Sequence, residues 1–317
     1  MNINGRIIKS TGSWYEVMDE EGNRIPCRIK GKFRLDNLRT TNPLAVGDYV
    51  VFEKEPDKET GIIHKILQRK NYIIRRSPKN RLAKHIIAAN MDQAFLIISL
   101  KFPKTSIGFI DRFLLTANIY EIPASIIVNK KDLHTLKEYK ALSDLKNIYE
   151  KIDCKIYEVS AKKGDNMDTL KELMKGKTTL LSGQSGVGKS SLINFILPSL
   201  QLKTKEVSTY SDKGSHATAF AEMYELPFDG FIIDTPGIKE FGIIDLEAGE
   251  LGWYFPEIKQ LSQQCKFNNC KHLNEPECSI INAIGKGVAI SRYENYVEIY
   301  NDLSKIKSWE ANDRRKA

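Results

Sequence analysis

Little in this chain supports a membrane or secreted protein. There is no run of about 18 apolar residues that could span a bilayer, which excludes a helical membrane protein. Only 5 of the 317 residues are cysteine. The start, Met1-Asn2-Ile3-Asn4-Gly5-Arg6, lacks the charged-then-apolar pattern of a secretory signal. A reducing cytoplasm is therefore the expected compartment, and disulfides are not expected. Internal repeats and low-complexity tracts are also missing. What remains is ordinary for a soluble protein: 41% hydrophobic and 28% charged residues. The length, at roughly 100–200 residues per domain, suggests two or three domains.

Lys+Arg exceed Asp+Glu by 48 − 40 = 8, which favours a polyanionic partner. The excess is uneven. From Lys65 to Lys84 stand Lys65, Arg69, Lys70, Arg75, Arg76, Lys79, Arg81 and Lys84 with no acid between them. Such a stretch reads as a phosphate-backbone contact, with a solvated basic linker as the alternative.

Residues 2 to 67 read as five short strands (Ile3 to Lys9, Trp14 to Met18, Arg24 to Ile29, Gly47 to Glu53, Gly61 to Leu67) broken by turn signals. This fits a small OB-type barrel, a fold that often binds oligonucleotides, with an SH3-like barrel as competitor. Arg24, Arg28, Lys30, Lys32 and Arg34 crowd the third strand and the following loop, and Trp14, Tyr15 and Phe33 offer candidate stacking faces, with core packing, commoner for aromatics in small barrels, as the alternative. From about Asn71 to Phe241, apolar strands alternate with helical stripes, the signature of a parallel sheet flanked by helices. Beyond Leu246 come a Cys-rich knot and a predicted helix from Arg292 to about Trp309. The expected division is an OB-type barrel over 1–68, an α/β nucleotide-binding domain over 69–244 and a zinc-binding helical domain over 245–317.

Gly183, Gln184, Ser185, Gly186, Val187, Gly188, Lys189 and Ser190 form a Gly-x4-Gly-Lys-Ser loop after the apolar strand Thr178 to Leu181, and Ser191 continues into a helical run. Strand, glycine loop and helix together make a phosphate cradle, because glycines let successive backbone N–H groups turn onto phosphate oxygens at a helix N-terminus. Lys189 is placed for the β and γ phosphates and Ser190 for Mg²⁺. Asn129-Lys130-Lys131-Asp132 ends another apolar strand. Asp132 can accept from the N1–H and exocyclic amine of guanine, a pattern that adenine does not offer. Asn129 supports the base and the loop, and Lys130 lays its stem along the ring. Ser160-Ala161-Lys162 ends a further strand, with the Ala161 N–H available to guanine O6. Asp234-Thr235-Pro236-Gly237 ends another, with Asp234 near Mg²⁺ and the Gly237 N–H near the γ phosphate. The base-reading motif precedes the phosphate loop, so the order is permuted.

Ile238 follows Gly237, and isoleucine cannot orient an attacking water. The polar, aperiodic segment 203–219 contains His216, the candidate catalytic group, whose imidazole can orient water near neutral pH. A surface histidine is the alternative. Cys265-x4-Cys270-x-His272-x5-Cys278 supplies three thiols and one imidazole, the ligand number and type of a closed structural zinc site. Cys27 and Cys154 read as core.

The motif order, the barrel and the Cys/His cluster together resemble the circularly permuted GTPases of the RsgA (YjeQ/YloQ) family over nearly the whole chain. The resemblance implies GTP/GDP and Mg²⁺ use, one structural Zn²⁺, and hydrolysis stimulated by the small (30S) ribosomal subunit late in its maturation. It also implies 16S rRNA as partner and release after hydrolysis. No membrane is expected, and a monomer is. From the family's Gly-x-His-Thr-Thr-Thr segment this chain keeps Gly214, His216 and Thr218 but has Ala217 and Ala219. Thr218 is carried over as the Mg²⁺-sensing threonine and His216 as the catalytic candidate. An rRNA-binding module with nucleotide as a structural ligand, or a permuted GTPase acting on another RNA, stays open. Because Asp234-Thr235-Pro236-Gly237 comes last, the second switch, running on through Ile238 to Ile244, is expected to be coupled to the zinc-bearing region.

Overall fold

The protein is described from a computed structural model, which covers residues 2–29, 43–76, 84–202, 221–235 and 246–314, with side chains described only to residue 305 in the last of these. Strands β1 (Ile3–Ser10), β2 (Tyr15–Asp19), β3 (Arg24–Ile29), β4 (Tyr49–Lys54) and β5 (Gly61–Ile66) form a barrel. Side chains alternate in and out, as the period of two requires. Ile25 and Cys27 face inward with Tyr15, Val17, Val50, Phe52 and Ile63, while Arg24, Pro26 and Arg28 face solvent. The strands run β1-β2-β3-β5-β4 and close through β1–β4, with β3 and β5 parallel. That connectivity makes the barrel OB-like rather than SH3-like.

Two sequence expectations change here. Tyr15 is core, so of the candidate stacking residues only Trp14 is exposed; Phe33, Lys30, Lys32 and Arg34 lie outside the described residues. Arg24 and Arg28 are paired with Glu16 (3.6 Å) and Glu55 (2.8 Å). The basic stretch is not a linker either: it passes through a hairpin of β6 (Tyr72–Arg76) and β7 (Lys84–Ala89). Arg69 is half-buried and grips Asp48 with two hydrogen bonds of 2.6 Å, and Lys70 pairs with Asp92 at 3.1 Å. Three of the five N–H donors of Arg69 are thereby committed, two to Asp48 and one to the Pro43 carbonyl. Lys79 and Arg81 lie outside the described residues. The hairpin meets the barrel through a Val46–Ala88 bridge. At the adjoining Gly47 (φ +92°) a Cβ would stand 2.1 Å from the Ala89 carbonyl oxygen, so only glycine allows the approach.

The second sheet has the order β10-β9-β8-β11-β13-β12. Its strands β8 (Gln93–Ser99), β9 (Ala124–Asn129), β10 (Ile156–Glu158), β11 (Thr178–Gly183) and β13 (Phe231–Asp234) are parallel, and β12 (Glu222–Glu225) runs antiparallel to β13. Both faces are covered, which explains the near-continuous apolar runs. One core contains Leu96, Ile98, Ile126, Val128 and Leu180 under α1 (Ile107–Ile119) and α2 (Leu136–Tyr149). The other contains Phe95, Ile97, Ile127, Leu181 and Ile232 under α3 (Met167–Met174) and α4 (Lys189–Ile196). Strand β12 pairs with β1 at Lys9 and Glu222, which also form a 2.7 Å ion pair, joining barrel and sheet. Cys27 and Cys154 are buried, as expected, and burial pushes both thiols up to about 12.

The C-terminal region is helical: a 3-10 segment Ala248–Tyr254, then α5 (Pro256–Ser262), α6 (Ser279–Ala283) and α7 (Ile290–Arg314). Helix α7 is longer at both ends than predicted. Its core includes Phe255, Ile258, Ile280, Tyr296 and Ile299, together with Leu115 from α1. Among the described residues no helix is long and apolar enough to cross a membrane.

Candidate nucleotide site and metal centre

Parallel strands send their C-terminal ends to one edge of a sheet, and ligands of open α/β sheets bind there. Here β9, β10, β11 and β13 bring Asn129, Ser160, Gly183 and Asp234 to that edge whatever the chain order. Permutation alters the connections and leaves the edge intact.

Asn129 is the hub. Its amide nitrogen donates to the Val187 carbonyl at 2.9 Å, and its side-chain oxygen accepts from the Ala161 N–H at 3.1 Å. One buried side chain thus ties the base-reading loop to both the phosphate loop and the Ser160-Ala161-Lys162 turn. Gly188 has φ +94°, and a Cβ there would lie 2.3 Å from the Asn129 amide nitrogen. This glycine is fixed by conformation and by contact at once.

Asp132 accepts from the buried Ser160 hydroxyl at 2.6 Å, which aims its carboxylate. Ser160 Oγ in turn accepts from the Lys163 N–H at 3.1 Å, and Lys162 is exposed beside it. Lys130 stands at φ +66° and stretches its ammonium to the Gly186 carbonyl at 2.6 Å and to the Phe102 carbonyl. Its stem therefore spans the gap between the two loops, as a residue flanking a planar base must. Partial burial lowers the Lys130 pKa, opposed by Asp132.

At the phosphate end, the Lys189 ammonium donates to Asp234 Oδ1 and, at 3.0 Å, to the Thr235 carbonyl. Thr235 is itself pinned by a 3.2 Å hydrogen bond from its hydroxyl to the Leu181 carbonyl. Ser185 and Gly186 are exposed, and Gln184, Ser190 and Ser191 are half-buried, so the loop opens to solvent at the mouth of the site. Ser190 at the start of α4 and Asp234 at the end of β13 offer hard oxygen donors, the type that Mg²⁺ takes. His216, Thr218, Gly237 and Ile238 lie outside the described residues.

The sequence reading missed the segment after β8. Phe102 and Pro103 touch the site, through the bond from Lys130 and through Pro103, whose Cδ lies 3.2 Å from where a Gly186 Cβ would stand. No motif marks them. Their position at the end of a parallel strand next to the phosphate-loop strand is the only available signal.

Cys265, Cys270, His272 and Cys278 offer ligand atoms that all lie within 4.8 Å of one another. Cys265 Sγ and Cys278 Sγ are 3.6 and 3.5 Å from His272 Nδ1 and 4.0 Å from each other. A tetrahedral zinc bonded at about 2.3 Å to sulfur and about 2.0–2.1 Å to nitrogen separates its ligands by roughly 3.5–3.8 Å. The donor set fits that ion in number, softness and spacing. Burial lowers the His272 pKa, favouring the neutral imidazole that a metal needs.

Known proteins place this arrangement. The family model described as RsgA GTPase matches residues 66–244, and that described as RsgA N-terminal domain matches 4–63. A protein of Christiangramia forsetii named small ribosomal subunit biogenesis GTPase RsgA is 48% identical over 94% of this chain and 95% of its own length. One of the same name from Flavobacterium johnsoniae is 50% identical over 94% of this chain and 92% of its own. The crystal structure of YjeQ from Thermotoga maritima superposes with a TM-score of 0.77 at 37% identity, covering 96% of this chain and 99% of that one. That of YloQ, described as a circularly permuted GTPase, gives 0.72 at 32%, covering 96% of each. A base-reading loop that precedes its phosphate loop, with these matches along nearly the full length, means that the chain belongs to the RsgA family of circularly permuted GTPases.

Proposed function

We propose that this GTPase acts late in maturation of the small (30S) ribosomal subunit, binding 16S rRNA and leaving once GTP is hydrolysed. The observation that carries the nucleotide part is Asn129, whose two hydrogen bonds hold the base-reading and phosphate loops in one frame. The ribosomal part is supported by the names of full-length relatives and by the basic balance of the chain. Residues 1–68, 69–244 and 245–317 are the proposed barrel, GTPase and zinc-binding domains. A cytoplasmic monomer fits this role.

In this reading Asp132 reads guanine, Asn129 and Lys130 support it, and Gly183 through Ser191 cradle the phosphates. The Ala161 N–H, which donates to Asn129 here, reaches guanine O6 only by sharing or exchanging that bond. Ser190, Asp234 and Thr218 hold Mg²⁺, which offsets phosphate charge when bound. Lys189 now donates to Asp234. Entry of a triphosphate offers it new acceptors, and the phosphate oxygens accept its hydrogen bonds in place of Asp234. His216 orients the attacking water and the Gly237 N–H senses the γ phosphate. Cys265, Cys270, His272 and Cys278 hold one structural zinc, which supplies folding free energy to a region with a small core.

Steady-state GTP hydrolysis with and without purified small subunits tests the proposal. Stimulation by small but not large subunits is expected. An unchanged rate favours an rRNA-binding module that keeps nucleotide as a structural ligand, a reading that Ile238 permits. A His216→Ala protein with normal stimulated hydrolysis would remove the catalytic role of His216.

A further inference from the structure

An exposed apolar and basic surface rims the guanine side of the site. Of the ten exposed large hydrophobics among the described residues, four gather here: Phe102, Leu133, Leu136 and Tyr139. Leu136, in the first turn of α2, is 90% exposed and so has no packing role among the described residues. The two segments that carry these residues are neighbours. Lys130 donates to the Phe102 carbonyl, and the charge of Lys101 helps to depress the Glu138 pKa. The Tyr139 ring is held edge-on by His134 at 5.6 Å, so one side of it is braced while the residue stays exposed.

Positive charge predominates on the surface. Lys104, Lys137 and Lys140 are exposed and Lys101 and Lys131 half-buried. Across residues 101–104 and 130–140 the only acids are Asp132 and Glu138. Both are committed, Asp132 to Ser160 and Glu138 to the backbone and hydroxyl of Thr135. Exposed rings between lysines that outnumber the acids match a ligand with flat faces and a phosphate backbone.

We propose that this rim, beside the guanine pocket, docks a single-stranded RNA segment with accessible bases. The rings of Phe102 and Tyr139 stack on bases, and Lys137, Lys140 and Lys104 meet phosphates. The proposal rests on the ribosomal reading above and names the face through which the GTPase domain takes part. RNA docked here lies at the mouth of the nucleotide site.

Full-length protein bound to a non-hydrolysable GTP analogue is titrated against purified small subunits and against deproteinised 16S rRNA. The Lys137→Glu/Lys140→Glu double variant is expected to bind both about tenfold more weakly. It should also flatten the plot of log affinity against log salt by about 1.4, at roughly 0.7 per single-strand phosphate contact. Tyr139→Ala loses about fivefold, the lower end for one stacked base. GDP affinity stays at the wild-type value in each. Lys137→Gln/Lys140→Gln repeats the test should charge reversal perturb α2.

Unchanged RNA and subunit affinity in every variant would overturn the proposal. Loss on subunits with none on free rRNA would replace RNA by a ribosomal protein and overturn it too. A wild-type protein that binds neither probe would instead sink the ribosomal reading itself.

Discussion

Arg292 of α7 donates to Asp111 of α1 at 2.8 Å, and both residues are buried where the C-terminal helices meet the GTPase sheet. Two more bonds, of 2.7 and 2.9 Å, go from the same guanidinium to Glu257 of α5. Burial opposes the Arg292 charge, but Asp111 and Glu257 outweigh it and raise its pKa. Asp111 also accepts from Tyr149 at 2.7 Å and from Asn295 at 2.5 Å. Helix α1, which follows the loop containing Phe102, is thereby clamped to the C-terminal helices, with Arg112 adding bonds to Glu298 and Asp302 at 2.9 and 2.8 Å.

Removing one partner from such a cluster leaves buried charge uncompensated. Arg292→Leu is expected to destabilise the junction by about 3–5 kcal/mol. Denaturant unfolding followed by the fluorescence of Trp253 should report it. Arg112→Ala, which breaks partly exposed pairs, should cost below about 1 kcal/mol.

Asp132→Asn exchanges an acceptor-only carboxylate for a group with one donor and one acceptor. Guanine nucleotides should bind at least about tenfold more weakly, since a charge-assisted hydrogen bond contributes about 1.5–3 kcal/mol. Xanthine nucleotides, whose 2-oxo group accepts, should gain. Competition binding of GDP against xanthosine diphosphate measures the inversion.

Gly188→Ala places a methyl 2.3 Å from the Asn129 amide nitrogen in a backbone conformation that L residues rarely adopt. The Asn129 to Val187 bond breaks or the loop shifts, and nucleotide affinity falls while the barrel keeps its fold. Calorimetric titration with GDP, beside circular dichroism, separates the two effects.

Metal analysis of purified protein should return one zinc per chain, and Cys270→Ser should lower that content. Chelation is expected to melt the C-terminal helical region first, because metal binding supplies part of its folding free energy. Hydrogen exchange should show protection lost in α5, α6 and the start of α7, with GDP binding retained.

Glu138 caps α2: its carboxylate accepts from the Thr135 hydroxyl and backbone N–H, which pull its pKa from 4.5 down to about 2. A depressed carboxyl stabilises the fold above its ordinary pKa and stops doing so as pH falls through its folded value. The contribution is therefore full above about pH 4.5 and gone below about 2. Melting temperatures of wild type and Glu138→Gln should differ at pH 6 and converge as pH drops through that window.

Much of the architecture was legible because its signals are local. A strand, a glycine loop and a helix are contiguous, so Gly183 to Ser190 identified themselves, and so did the spacing from Cys265 to Cys278. Apolar runs of buried parallel strands and the stripe of α1 were equally readable. The basic stretch was not, because a sequence shows that Arg69 is cationic but not that Asp48 lies beside it. Whether Tyr15 is core or a stacking face stayed open for the same reason, since alternation alone does not say which face of a barrel strand is inside. Strand β12 and the hairpin of β6 and β7 were missed, being short segments whose partners are remote.

The sequence by itself determined the chemistry: which base is read, which loop cradles phosphate, which four side chains suit zinc, and in what order the motifs run. These follow from residue type and short spacing, which covalent geometry fixes. Only the tertiary structure decided which groups meet: Asn129 with Val187 and Ala161, Lys189 with Asp234, Arg292 with Asp111, and Phe102 with Lys130. Contacts between residues far apart in the chain depend on how sheet edges and helix faces pack. That packing is a property of the whole fold and of no segment read alone.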